Sequence, residues 1–431
     1  MKRWLFFLAS GLALFAASCG PVLRTPPLPV PKEPEGQKPS TQEAPPSTQQ
    51  QQPPTAPAMV PTQGVSARPL RLAQVFRLPE PEALDSFLDA LKTAGFDTIA
   101  VRAFHHPGDR YHGGVREETA AAQKTGVYYD SALAPVVANV LLPAMQRMHE
   151  KGFQVWAWMP TRGAGWDFPN KRDMLEYRYN FRTRQMERGD GLDIFHPSVD
   201  SYLRALYGEM AHALPLDGVL LQDDLVLRHD TGFGPYVEMA YFEAAGRSLR
   251  PGDLYASVDL RGERPVVRYT GAFYEWKKFQ AGRILSLALS LREEVRAARP
   301  SAVMALNVYY DSVLMPENGL AWLAQDVENW AKSPMEYFAV MAYHRQIQSE
   351  LKLSSAVDVM ACLAEMRRHS ERWFGNGARL LWKLQAKDWE SGAFVPAVEI
   401  QSMKKVLDDG ACSFAVAPVE ADWPDLAAWT W

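Results

Sequence analysis

Little cysteine, no large excess of charge and no long apolar run after the N-terminus limit what this chain can be. Three cysteines in 431 residues rule out a disulfide-built scaffold. A formal net charge of −4 gives no electrostatic footprint for nucleic acid. No apolar stretch is long enough for a comfortable membrane span. The Phe76-Arg77-Leu78-Pro79 that ends the first strand is no glycine-rich phosphate loop, so a dinucleotide site is not expected. No Gly-x-Ser-x-Gly elbow is present, which argues against a serine hydrolase. The first strand also lacks a His-x-His pair, and adjacent His105 and His106 make poor joint ligands, so no metal or other cofactor is expected.

The first residues read as an export signal. Lys2 and Arg3 precede the apolar run Trp4–Ala17, and Ala16-Ala17-Ser18-Cys19 closes it. A cysteine after small residues resembles the bacterial lipobox, in which Cys19 is lipidated; the alternative is a plain signal peptide with an incidental cysteine. Gly20 after the cysteine implies, by the same resemblance, an outer-membrane anchor facing the periplasm. Residues 19–68 are dominated by Pro, Gln, Thr and Ser. They cannot bury enough apolar area to offset the entropy of ordering, so a solvated tether is expected. Residues 1–18 are thus signal, 19–68 tether and 69–431 a folded domain.

The domain alternates strands and helices. Apolar runs bounded by turn residues read as buried parallel strands at Leu70–Phe76, Thr98–Phe104, Phe153–Met159, Leu216–Leu225, Val303–Tyr309, Tyr337–Tyr343, Leu380–Leu384 and Ser413–Ala417. Helical periodicity fills the gaps at Pro81–Ala94, Leu133–Glu150, Ser198–Leu214, Phe273–Ala298, Gly319–Lys332, Ser355–Trp373 and Ala397–Leu407. Eight such units call for a (β/α)8 barrel, with a doubly wound open sheet as the competitor. The longest insertions follow strands two, three and four, at the end where barrels build active sites.

Polar residues at strand exits are the candidates for chemistry. Strand four ends in two adjacent acids, Asp223 and Asp224. Neighbouring side chains on a strand face opposite ways, so only one acid can enter the pocket while the strand stays regular. The pattern leaves open which one, and the other could cap a helix or pair with an arginine such as Arg102. Glu317 follows strand five. Arg102, His105, Trp158, Asp230, Tyr309, His344, Lys383 and Trp389 are the candidate substrate-binding residues at the strand exits and in the loops after them. Trp156 and Trp158 share a face and read equally as core or as a sugar platform. Carboxylates ringed by aromatics are the parts a glycosidase needs: one acid protonates the leaving oxygen, and another group stabilises or attacks the oxocarbenium-like centre.

The order of motifs resembles a known family. Val101–Phe104, Gly126–Tyr129, Val155–Pro160, Asp217–Asp224, Asn307–Tyr309, Leu314–Glu317, Trp322–Gln325 and Phe338–Ala342 are similar to the C-terminal glycoside hydrolase domain of bacterial poly-β-1,6-N-acetylglucosamine N-deacetylases. The resemblance implies a barrel that binds partly deacetylated polymer and cuts it endolytically. Asp223, Asp224 and Glu317 would line its groove, with Asp230 in a loop that aligns poorly. It also implies a polysaccharide partner and contact with exopolysaccharide export machinery. Two departures stand out. Gln222 occupies the place of the family's histidine, and the tether stands where the deacetylase domain would be, so deacetylation is not carried over. The alternative is a non-catalytic polysaccharide-binding or export lipoprotein that keeps the barrel.

Overall fold

In a computed structural model, which describes residues 69–106, 124–262 and 265–431, eight parallel strands close into a barrel. They are β1 (Arg71–Val75), β2 (Thr98–Arg102), β3 (Gln154–Met159), β4 (Gly218–Leu221), β5 (Val303–Tyr309), β6 (Tyr337–Met341), β7 (Leu380–Gln385) and β8 (Ser413–Ala417). Strands pair in chain order, and β8 returns to β1 through the register Arg71 with Phe414. The outer layer consists of α1 (Pro81–Thr93), α2 (Leu141–Glu150), α3 (Pro197–Ala213), α4 (Gly271–Ala298), α5 (Pro316–Leu323), α6 (Ala356–Phe374) and α7 (Ala397–Leu407). Strands sandwiched between this layer and the barrel interior are buried on both faces. That is why they read as continuous apolar runs rather than alternating ones.

The helices follow from their sequences. In α1, Pro81 opens the first turn, Phe87, Leu88 and Leu91 face the strands, and Gly95 leaves at φ +82°. Burying each of those three side chains contributes roughly 1.5–3 kcal/mol. Leu88 and Leu91 are fully buried, so Leu88→Ala or Leu91→Ala would cost about 2–5 kcal/mol. α6 begins with a reciprocal cap between Ser355 and Asp358.

Two contacts settle which strand faces look inward. The rings of Trp156 on β3 and Tyr337 on β6 lie 5.7 Å apart although two strands separate them, so their contact crosses the interior. Lys383 Nζ on β7 likewise reaches over β6 to donate to Asn307 Oδ1 on β5, at 2.9 Å. Carried around the ring by the strand register, the inward set includes Gln74, Ala100, Trp158, Gly218, Leu220, Tyr309 and Ala417. Gly218 is required there, because a Cβ would sit 2.6 Å from the Trp156 indole nitrogen. Trp156 is therefore core.

The structure revises several boundaries. The fourth strand keeps only Gly218–Leu221; Gln222 N still donates to Met159 O, and the chain then turns. Strand two ends at Arg102, and Phe104–His105 pairs separately with Gly126–Val127. The helix expected from Leu133 starts at Leu141, because Val137, Val140 and Leu141 donate their N–H groups back to Val127 and Tyr128 carbonyls. Gly319–Lys332 splits into α5 and a single turn at Val327–Trp330, broken where Ala324 adopts φ +52°. The loop after β3 holds a hairpin, Leu175–Asn180 with Gln185–Leu192, and Thr231–Phe233 from the next loop adds a third strand. Together with the helix Pro235–Ala245 and a ribbon at Tyr255–Asp259 and Val266–Tyr269, it caps a second core around Phe233, Phe273 and Trp276. The signal, Cys19 and the tether lie outside the described residues. No helix among the described residues is long and apolar enough to cross a membrane.

Candidate active site

The carboxyl ends of the strands form a mouth centred on Asp223. This residue sits in the turn directly after β4, half-buried, and its carbonyl accepts from Tyr309 Oη at 3.3 Å. Its charge acts on two side chains of the same mouth, Lys383 and Tyr343. Lys383 is only 3% exposed. Burial pushes its ammonium down to about 8, with Asp223 pulling the other way. Asn307 is fixed so that it can receive Lys383: its Nδ2 donates to Leu221 O at 2.6 Å, leaving Oδ1 for the ammonium. Gln325 braces the strand beneath, donating to Asn307 O and accepting from Tyr309 N and Ser312 Oγ.

Asp224 points elsewhere. Strict alternation from Gly218 and Leu220 would send Gln222 and Asp224 inward and Asp223 outward. The strand stops at Leu221, however, and the turn inverts that order. Asp224 is buried, and its carboxylate accepts from Thr161 N (2.9 Å), Thr161 Oγ1 (2.7 Å) and Gly163 N (2.6 Å) in the loop after β3. Its charge also bears on Tyr207 of α3, whose hydroxyl donates to Met159 and Pro160 carbonyls in the outer layer. Burial pushes the Asp224 carboxyl up to about 6, the Thr161 and Gly163 donors oppose this, and Asp223 adds to it. Gly163 is needed at this approach, since a Cβ would stand 2.8 Å from Asp224 Oδ2. Between them, Arg162 Nη1 donates to Val226 O at 2.7 Å and pairs with buried Glu176. The two adjacent acids thus divide their work: Asp223 serves the mouth and Asp224 is a strut between loops.

Aromatic rings wall the mouth. Trp158 packs against Phe76 (4.6 Å) and edge-on to Phe104 (5.5 Å). The Arg102 guanidinium lies over Phe104 and Trp158, at 4.4 and 5.4 Å from the ring centres. Trp389 stacks on Phe76 (6.3 Å) and meets Tyr343 edge-on (5.5 Å). Phe76 and Trp389 are only half-buried.

Of the expected site residues, the structure brings together Asp223, Arg102, Trp158, Tyr309, Lys383 and Trp389. The others lie elsewhere. Glu317 is exposed in the first turn of α5, and the group its charge bears on is Tyr274 of α4. Asp230 belongs to the insertion after β4, where burial raises its pKa against Arg228, Arg178 and Lys277. His105 is buried with Nδ1 2.6 Å from Tyr128 Oη. His344 is buried with Nε2 2.8 Å from Glu399 Oε1; burial lowers its pKa and Glu399 partly restores it. His105 thus ties the segment after β2 to Tyr128, and His344 ties the helix that follows β6 to the first turn of α7. The strut residues Thr161 and Gly163 and the ring Phe76 were not among the candidates. Phe76 could have been found, since it shares the parity of inward Gln74. The group Asp408, Asp409 and Cys412 could hold a cation by spacing, but it lies just before β8 at the opposite end of the barrel, where Asp409 caps backbone N–H groups and Asp408 pairs with Lys404.

A closed (β/α)8 barrel with a carboxylate at an aromatic-walled mouth is a glycosidase-type barrel. Residues 80–416 match the model of hypothetical glycosyl hydrolase family 13, and the chain belongs to that family. Among solved structures, it is similar to the PgaB (BpsB) glycoside hydrolase domain from Bordetella bronchiseptica, with 20% identity and a TM-score of 0.66 over 83% of this chain and 97% of that one. A β-galactosidase from Bacillus circulans sp. alkalophilus shares the barrel at 14% identity and a TM-score of 0.51, over 82% of this chain and 50% of its own. No curated protein matches.

Proposed function

We propose that the protein is a lipid-anchored hydrolase that cleaves an amino-sugar exopolysaccharide, of the partly deacetylated poly-β-1,6-N-acetylglucosamine type, with Asp223 as the reacting carboxylate. The observation that carries this is the placement of Asp223 at the mouth, among Lys383, Tyr309 and half-exposed aromatic faces. The likeness in fold to the PgaB (BpsB) glycoside hydrolase domain, taken with the motifs from Val101 to Ala342, supports the amino-sugar class. In this role Asp223 either protonates the leaving oxygen or stabilises the oxocarbenium-like centre. The lipid on Cys19 would hold the domain at the outer membrane, near export machinery.

The test is cleavage of defined β-1,6-linked oligosaccharides by wild type and Asp223→Asn, read as new reducing ends. Loss of at least about 100-fold is expected for a group of this kind. Undiminished cleavage by the variant would remove Asp223 from the mechanism. Cys19→Ser should release the protein from the membrane fraction; unchanged partitioning would refute the anchor. One observation favours a second reading, a polysaccharide binder without hydrolysis: Glu317, the expected second acid, is exposed, and its charge bears on Tyr274. Tight binding with no product after long incubation would decide for it.

A further inference from the structure

We propose that Lys383 is the counter-charge of Asp223: a buried ammonium that keeps this carboxylate ionised, so that Asp223 meets the sugar as an anion and stabilises positive charge at its anomeric carbon rather than delivering a proton. This rests on the reading of the mouth given above and chooses between the two roles left to Asp223 there.

The geometry points to this pairing from both sides. Lys383 stands on the inward face of β7, 3% exposed, and reaches across the interior to Asn307 Oδ1 on β5. Asn307 in turn holds Leu221 O, the last residue of β4 and two positions before Asp223. Two residues further along β5, Tyr309 Oη donates to the Asp223 carbonyl. One edge of β5 therefore anchors both the ammonium and the turn that carries the acid. The Tyr343 ring lies 5.6 Å from Lys383 Nζ, and Asp223 acts on that phenol too, so all three groups share one space.

An ammonium taken out of water needs an anion nearby, and a neutral amide such as Asn307 supplies only one acceptor. Few groups at this end of the barrel can answer. The phenols of Tyr309 and Tyr343 are neutral donors, and Tyr343 is driven further from ionising by burial and by Asp223. Arg102, on the far wall with Trp158, is a second cation. Asp224 is turned into the outer layer and held by Thr161 and Gly163. That leaves Asp223. A neighbouring cation favours the charged form of a carboxylate.

The test uses the full chain as wild type, Lys383→Met, Lys383→Gln and Lys383→Arg. Asp223 is titrated directly by carboxyl-carbon NMR, with Asp223→Asn assigning the signal, and kcat/KM for the partly deacetylated polymer is followed against pH. In Lys383→Met, the Asp223 midpoint and the acid limb of kcat/KM should both rise by about one unit or more. Lys383→Arg should keep the acid limb and lose the alkaline break that the lysine places at about 8. An Asp223 midpoint that is the same in wild type and Lys383→Met overturns the pairing. Should the methionine variant not fold, Lys383→Gln, which puts a neutral amide donor in place of the ammonium, decides by the same criterion. If wild type cleaves no polymer, the functional reading fails, while the carboxyl titration still settles the role of Lys383.

Discussion

Replacing Asp224 by asparagine should cost more stability in acid than in base, which is opposite to the usual loss of a salt-bridged carboxylate. Burial lifts the Asp224 carboxyl from 3.8 to about 6. A carboxyl whose folded pKa lies above its unfolded one holds its proton more tightly when folded. Its contribution is therefore complete below its unfolded pKa and is lost as pH rises through the folded value. At ~1.4 kcal/mol per unit the full loss is roughly 3 kcal/mol, of which about 2 falls between pH 4 and pH 8. Asparagine is spared that loss. It pays instead at every pH, because three donors from Thr161 and Gly163 converge on the two oxygens, and an amide NH2 must face one of them. Each buried donor left unmet costs about 1–3 kcal/mol. Urea unfolding of wild type and Asp224→Asn at about pH 4 and about pH 8 isolates the group together with its coupling to Asp223, since the remaining acids are common to both proteins. The deficit of the variant should be about 2 kcal/mol larger at the lower pH. A deficit that is constant, or greater at the higher pH, would refute the picture of Asp224 as a reluctantly charged strut.

Three further outcomes follow from the same geometry. Trp389→Ala removes a half-exposed ring stacked on Phe76, so KM should rise about 3–10-fold with kcat nearly unchanged, as initial rates on oligosaccharides would show. Gly163→Ala drives a methyl to 2.8 Å from Asp224 Oδ2 and should cost about 1–3 kcal/mol in a denaturant melt; a neutral result would mean the loop yields freely. Asp311 is pushed up to about 7 by burial and by neighbouring Glu350, so it too withdraws stability as pH climbs from the ordinary carboxylate range through 7. Asp311→Asn should flatten that slope and melt above wild type on the alkaline side.

The barrel was legible because its strands are apolar on both faces and punctuated by turns, as at Val303–Tyr309 between Pro300-Ser301 and the helix that follows. The same property hid the site's orientation. A strand without alternation carries no sign of its inward side, and the inversion at Asp223 depends on where pairing with β3 ends, at Leu221 and Met159. Leu133–Val140 has helix-like apolar spacing, yet hydrogen bonds back to Val127 and Tyr128 win, and helical periodicity does not register that pairing. Glu317 was read as a mouth residue because it follows strand five closely. The turn Tyr310–Leu314 intervenes, and Glu317 is exposed in the first turn of α5, where its charge bears on Tyr274. His105 was read as a substrate-binding residue for its position at a strand exit, and Tyr128, brought alongside by the Phe104–His105 pairing, lies 2.6 Å from its Nδ1.

Gly189 and Gly191 lie two apart on the second strand of the hairpin after β3. A Cβ on the first would press 2.9 Å from Glu176 Cγ, and one on the second 2.6 Å from Arg162 Nη2. Successive side chains on a strand alternate, so the two glycines open a slot on one face only, and the Arg162–Glu176 pair fills it. That slot works as a keyway. If the hairpin slipped by one residue, Arg188 or Asp190 would face the pair and the hairpin could not seat. Since Arg162 also holds Val226 O, the alignment of a peripheral hairpin is indexed to the turn that presents Asp223, and missing side-chain atoms set that index.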